Sequence, residues 1–103
     1  MILVDARILL VPGRRREFIK EAEKIMPVVR DEAGCTRYEL VACVDSPATV
    51  HFLEEWESKQ HLDDHLARPH MHEFFAKTTP WHAAPTELKI YDVQSSHRIT
   101  MDS

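Results

Sequence analysis

The alternation of apolar and polar residues at the start of the chain gives way to a helical period. Every second residue from 2 to 11 is apolar, which predicts a strand with one buried face. A Pro-Gly pair at 12–13 ends this strand, and residues 14–31 then carry apolar side chains at helical spacing. We expect Pro27 to kink or split this helix near its last turn, and the Ala-Gly pair at 33–34 to stop it.

Two further alternating segments predict a hairpin. They cover residues 35–44 and 49–56, and the Asp-Ser-Pro turn at 45–47 joins them. Ser58 is the expected N-cap of a short helix that ends at Ala67.

The remainder of the chain contributes a second short helix and one more strand. A Pro at position 69 separates the two helices, and the second is predicted from His70 to Thr79. A loop rich in Pro follows it, and residues 86–93 form the last predicted strand.

The order strand, helix, strand, strand, helix pair, strand predicts an α+β fold of the ferredoxin-like type. It is a four-stranded antiparallel sheet with helices on one face. Residues 1–93 form the predicted domain, and residues 94–103 form a polar tail. The sheet face away from the helices carries apolar side chains among charges, and a second copy packed sheet to sheet would cover them; a solvated face is the alternative. These side chains are Leu3, Leu9, Val41, Leu53, Tyr91 and Val93.

Composition narrows the classes of partner. The 13 basic and 17 acidic residues give a net charge of −4, and no basic patch indicates nucleic-acid binding. Asp5 and Arg7 interrupt the apolar N-terminus, which therefore predicts neither a signal peptide nor a membrane span.

Cys35 and Cys43 lie roughly 26 Å apart if they share one strand, too far for a disulfide. We therefore expect free thiols and a cytoplasmic protein.

Four side chains with polar groups point into the predicted interior. Tyr38, Glu54 and Trp56 lie on the helix-facing side of the hairpin, and His65 lies on the apolar side of the first short helix. Burying such groups without partners costs several kcal/mol, so they either bond to one another or line a pocket.

Each of these residues has a structural and a functional interpretation. His65 is either a core histidine bonded to Glu54, a tyrosine hydroxyl or a backbone carbonyl, or a proton acceptor with a pKa near neutrality. Glu54 is either a structural acceptor or the group that orients His65 or holds a substrate hydroxyl. Trp56 and Tyr38 are either core residues or a flat wall for an aromatic ligand.

No motif predicts a metal or a nucleotide cofactor. His61 and His65 have i,i+4 spacing, but neither an H-E-x-x-H motif nor a paired Cys motif is present. Neither a G-x-G-x-x-G motif nor a P-loop occurs, and nothing adjacent activates either cysteine as a nucleophile. We therefore predict no cofactor and no metal.

Several short segments occur in a specific order and spacing along nearly the whole domain. They are Pro12-Gly13, Glu17-Phe18, Glu32-Ala33-Gly34-Cys35, Tyr38-Glu39-Leu40, Asp45-Ser46-Pro47, Phe52-Leu53-Glu54-Glu55-Trp56 and His65 with Pro69-His70 and Phe74. Together they resemble the antibiotic biosynthesis monooxygenase domain family. This resemblance implies a dimeric α+β barrel in which two sheets face each other and each subunit keeps its own pocket.

The resemblance implies several possible activities. Members include cofactor-free monooxygenases of polycyclic phenols, quinol oxidases, haem-degrading enzymes and isomerases of a sugar phosphate, so the fold does not fix the function. The haem-degrading members imply an asparagine on the first strand and a tryptophan and a histidine on the later helices. Ala6, His65 and Phe75 stand at those positions here, which argues against haem.

The resulting hypothesis is a cofactor-independent monooxygenase that oxidises a small phenol or quinol with dioxygen in a pocket between the sheet and the helices. His65, Glu54 and His70 are the predicted catalytic residues. An isomerase that transfers a proton on a phosphorylated sugar-like metabolite, and a ligand-binding dimer without chemistry, are the alternatives. The residues predicted to contact substrate are Tyr38, Trp56, Phe74 and Trp81.

Overall fold

The computed structural model describes residues 1–102 and gives four strands, three α-helices and one short 3-10 helix. The strand order is β2-β3-β1-β4 with every neighbouring pair antiparallel, which confirms the ferredoxin-like α+β fold. The elements are β1 (Ile2–Leu9), α1 (Arg15–Arg30), β2 (Cys35–Cys43), β3 (Ser46–Trp56), α2 (Lys59–Leu66), α3 (Pro69–Thr78), the 3-10 helix (Thr79–Trp81) and β4 (Glu87–Asp92).

The register of the sheet aligns the polar residues of the interior. Tyr38 on β2 pairs with Glu54 on β3, and Glu54 pairs in turn with Val4 on β1. Cross-strand partners point to the same face of a sheet. Tyr38 and Glu54 therefore lie side by side beneath the helices, and Trp56 lies two residues further along the same face of β3.

The helices cover the sheet unevenly. Phe18 of α1 is fully buried, and its ring centroid lies 5.6 Å from that of Phe74 and 6.2 Å from that of Phe52. At the opposite edge every residue of β4 is exposed. Ile90 is 51% exposed although its partner Val4 is 1% exposed, because the helical layer stops short of β4.

Two details differ from the sequence-based expectations. Pro27 does not split α1, which continues to Arg30. In the last turn a proline removes only one of the final N–H bonds, so the helix can continue past it. The predicted turn at 45–47 also belongs partly to β3, which begins at Ser46 rather than at residue 49. The hairpin is closed there by a register shift that pairs Cys43 with Ser46.

Several other features follow the sequence-based predictions. Ser58 is the N-cap of α2, and its hydroxyl accepts a hydrogen bond from the backbone N–H of His61. Both cysteines are free. No helix among residues 1–102 is long and apolar enough to cross a membrane.

Candidate active site

Glu54, Trp56 and His65 form one contiguous polar group inside the core. The Trp56 indole donates a hydrogen bond of 3.0 Å from Nε1 to Glu54 Oε1. The His65 imidazole lies over the indole, with ring centroids 4.6 Å apart. Its Nε2 is 3.8 Å from Glu54 Oε1. Because the Ser58 cap starts α2 immediately after β3, two helical turns bring His65 back over the end of that strand.

Glu32 holds the other side of His65, and sequence analysis missed this role. Its carboxylate accepts from His65 Nδ1 at 3.0 Å and from His70 Nε2 at 2.8 Å, and Arg68 Nε lies 3.6 Å away. In the sequence Glu32 belongs to the segment Glu32-Ala33-Gly34-Cys35, which carries only the family resemblance. Its side chain is 6% exposed although it lies in the turn after α1. No local pattern indicates a contact between residues separated by 33 positions.

Burial shifts the pKa values of Glu54 and His65 so that each side chain favours its uncharged form. Burial raises the pKa of Glu54 to about 7, although the Trp56 N–H bond opposes the rise. Burial lowers the pKa of His65, and the hydrogen bond to Glu32 opposes that change. At neutral pH the imidazole is therefore mainly neutral and Glu54 exchanges its proton readily, which is the condition for acid–base catalysis.

Tyr38 completes the wall around His65. Its ring is buried, lies 5.7 Å from the His65 ring and stacks on Phe52 at 5.0 Å. Burial, together with the nearby charge of Glu54, raises the pKa of the Tyr38 hydroxyl, which therefore stays protonated. The rings of Trp56, His65 and Tyr38 are 0–2% exposed, so any free space between them is at most about the size of a water molecule.

An apolar cavity that is open to solvent lies beside α2 and α3, where Leu88 of β4 borders it. It has a volume of about 580 Å³, a typical size for a small-molecule site. Leu66 and Phe75 line it from the helices, Leu88 from β4 and His82 from the loop after the 3-10 helix. Leu66 directly follows His65 on α2, so the cavity and the buried polar group share one helical turn.

The structure brings some predicted site residues together and separates others. Phe74 is buried one layer away, where its ring contacts Phe52, the ring on which Tyr38 stacks. His70 is 26% exposed and reaches the group only through Glu32. Trp81 lies near the far end of β1, where its carbonyl accepts from Val11 N, roughly 30 Å along the strand from the end that holds Trp56.

Metal ligation has no geometric support in the part of the chain that the structure describes, because no three His, Cys, Asp or Glu side chains there are grouped so that they could hold an ion. His61, the other histidine of the i,i+4 pair, bonds instead to the Ser58 hydroxyl at 2.7 Å.

The fold is that of a known class of small α+β proteins. The family model of the antibiotic biosynthesis monooxygenases matches residues 1–77, and the chain belongs to this family.

The chain is also similar to two relatives and to one solved structure. The "Probable quinol monooxygenase YgiN" of Escherichia coli K12 is 36% identical over 81 residues, covering 69% of this chain and 78% of that protein. An uncharacterised protein of Synechocystis is 30% identical over 98 residues, covering 95% of this chain and 67% of that protein. The crystal structure of a conserved protein from Methanosarcina mazei superposes with a TM-score of 0.84 at 28% identity and covers 87% of this chain and 89% of that one.

Proposed function

We propose that this protein is a cofactor-independent monooxygenase that oxidises a small quinol or phenol with dioxygen. The observation that carries the proposal is the pair formed by His65 and Glu54, 3.8 Å apart in an apolar core. Membership of the monooxygenase family and the 36% identity to a relative named as a quinol monooxygenase support the class of reaction.

The cavity beside Leu66 is the proposed site for the aromatic ring. Phe75 and Leu88 offer apolar surface to the ring faces, and the volume of about 580 Å³ suits one or two fused rings. A substrate hydroxyl directed inward past Leu66 would approach His65 Nε2. The proposal requires a small outward movement of α2 and α3, because the core around His65 is closed in this structure.

In the proposed reaction the His65 Nε2 lone pair accepts the proton of a quinol O–H bond, as a general base. The resulting anion gives one electron to dioxygen, and the radical pair combines to form a ring C–O bond. The peroxide O–O bond then breaks as the ring C–H at the new C–O bond loses its proton. The departing oxygen takes up this proton and the one first accepted by His65, and Glu54 can relay either of them. One oxygen atom stays on the ring as a hydroxyquinone and the other leaves as water. The quinol supplies all four electrons, so no cofactor enters the balance.

The sheet face away from the helices is the proposed homodimer interface. Part of its charge is paired within the subunit: His51 Nδ1 lies 2.6 Å from Asp5 Oδ1, and Arg37 lies 3.3 Å from Glu55. Leu3 and Leu53 are only partly buried between these pairs. Pairs that are already satisfied lower the cost of removing this face from water, which favours packing against a second copy.

The test is oxygen uptake with 1,4-hydroquinone and 1,4-naphthoquinol, measured for the wild type, His65→Gln and His82→Gln. His82 is the matched control, because it lines the cavity while its Nε2 is enclosed. We expect wild-type turnover with one water formed per dioxygen, a loss of 100-fold or more in His65→Gln, consistent with removal of a general base, and a smaller loss in His82→Gln.

Two outcomes would contradict this proposal. Unchanged turnover in His65→Gln together with a large loss in His82→Gln would indicate that His82, and not His65, is the general base. Isomerisation of a phosphorylated sugar at an equal rate in air and under argon, with no oxygen uptake on either quinol, would favour a proton-transfer isomerase over an oxygenase.

A further inference from the structure

Glu32 is the buried charged group that no step of the proposed reaction uses. It lies in the turn after α1, yet its side chain is 6% exposed and faces α2 and α3. Backbone bonds fix this turn, with Glu32 N donating to Val29 O at 2.9 Å and Cys35 N donating to Glu32 O at 3.2 Å. These backbone bonds fix the position of the Glu32 carboxylate between His65 and His70.

We propose that Glu32 is a positioning residue that fixes the proton of His65 on Nδ1 and so leaves Nε2 as the proton acceptor. This inference rests on the proposed function only for its effect on turnover. Its structural basis is the 3.0 Å contact between His65 Nδ1 and Glu32 Oε2.

The tautomer follows from the chemistry of the partners. An ionised carboxylate has acceptor oxygens and no donor, so Nδ1 of His65 must donate to it. A neutral imidazole carries only one proton, and its Nε2 therefore presents a lone pair toward Glu54 and the substrate side. The same carboxylate accepts from His70 Nε2 at 2.8 Å, and the two histidines share it.

The contact between Glu32 and His65 also stabilises the charge that His65 gains when it takes up a proton. Glu32 then faces an imidazolium and offsets its charge in the interior, where an unpaired charge would be costly. His70, which is 26% exposed, and Arg68, which is 45% exposed, are the members of this chain of contacts that meet solvent. The other titratable or charged groups near the pair are Arg68 from the turn between α2 and α3, Glu54 from β3, Tyr38 and Cys35 from β2 and Arg30 from α1.

Nitrogen-15 NMR of the histidine side chains tests this directly, without turnover. We expect wild-type His65 to carry its proton on Nδ1, and Glu32→Gln to lose this preference because the amide can donate to Nδ1. Glu32→Asp keeps a carboxylate and is expected to restore the Nδ1–H form in part. Glu73→Gln, at an exposed glutamate on α3, is the matched control and should leave the tautomer unchanged.

Kinetics supply the second readout. Glu32→Gln is expected to lower kcat by at least about 10-fold with little change in KM, because the carboxylate that orients the general-base histidine is lost. The acid limb of its pH–rate profile should move to lower pH, because the bond to Glu32 supports the protonated form of His65. A merely structural role would lower stability and leave that limb in place.

The outcomes separate this inference from the proposed function. Wild-type His65 protonated on Nε2 would overturn the inference whether or not quinols are oxidised, and this holds even if Glu32→Gln fails to fold. An Nδ1–H tautomer that is lost in Glu32→Gln, found in a protein that oxidises no quinol, would support the role of Glu32 and remove the proposed reaction.

Discussion

The helices close one half of the sheet and leave the other half open. Over β2 and β3, Trp56, Tyr38 and His65 are 0–2% exposed and contact one another. Over β4, Leu88 and Ile90 are 44% and 51% exposed although they point to the same face. The closed half holds the groups that can move protons, and the open half offers the space that an aromatic ring needs.

This division shows how a chain of only 103 residues can combine a tightly packed core with an open cavity. A small core cannot enclose a large void without losing packing energy. The polar group of Glu54 and His65 is therefore packed as tightly as the core, while the cavity of about 580 Å³ lies at the edge where packing is already incomplete. Substitutions that act differently on the two halves test this description.

The largest expected difference between the two halves is the loss of stability when a large apolar side chain is removed. Trp56→Ala should lower the free energy of unfolding by about 3–5 kcal/mol, because the indole is fully buried and also donates to Glu54. Leu88→Ala in the open half should cost about 1 kcal/mol or less. Urea unfolding of both variants measures this contrast, and equal losses would mean that the β4 half is closed in solution.

The next effect is a pH dependence in the closed half. The pKa of Glu54 is raised from 4.5 to about 7, so the folded state binds its proton more tightly than the unfolded state. Stability from this group is fully present below pH 4.5 and is lost as the pH rises through 7. The amide of Glu54→Gln does not titrate, so the variant does not lose this stability as the pH rises. Its free energy of unfolding, measured relative to that of the wild type, should therefore increase by up to about 3 kcal/mol between pH 4.5 and 8.

The comparison is made by urea unfolding of both proteins across this pH range, which cancels the titration of His65 common to them. A constant difference between the two curves would show that Glu54 is ionised in the folded protein throughout.

The two glycines give a smaller contrast. Both have a positive φ, 81° at Gly34 and 83° at Gly13. A Cβ at Gly34 would overlap the His61 side chain, whereas a Cβ at Gly13 would meet nothing within 4 Å. Gly13→Ala should cost about 1 kcal/mol for its backbone conformation, and Gly34→Ala about 1–3 kcal/mol more for the overlap. Thermal unfolding compares them, and equal losses would show that His61 moves aside freely.

The smallest predicted effect concerns the start of α2, which positions His65. Ser58→Ala removes the hydroxyl that accepts from His61 N and should cost about 1 kcal/mol. Ser46→Ala, at a serine whose hydroxyl bonds only to Thr49 at the far end of β3, is the control for loss of a hydroxyl. If α2 is held by its packing alone, circular dichroism during thermal unfolding will show no change for Ser58→Ala.

Local patterns predicted the elements and the interior position of four polar residues. Alternation placed Tyr38, Glu54 and Trp56 on one face, and helical spacing placed His65 opposite them, because each of these periods is local. Glu32 was not predicted as part of the site, since its contacts join residues 33 and 38 positions apart. The cavity was not foreseen either, because it depends on how far the helices extend toward β4.

A crystal structure of the protein grown without oxygen in the presence of 1,4-naphthoquinol tests the central claim most directly. The account predicts the bicyclic ring between Leu66, Phe75 and Leu88, with one hydroxyl within hydrogen-bond distance of His65 Nε2. A quinol bound elsewhere, with the core around His65 as closed as it is here, would contradict the assignment of His65 and Glu54 as the groups that exchange protons with the substrate.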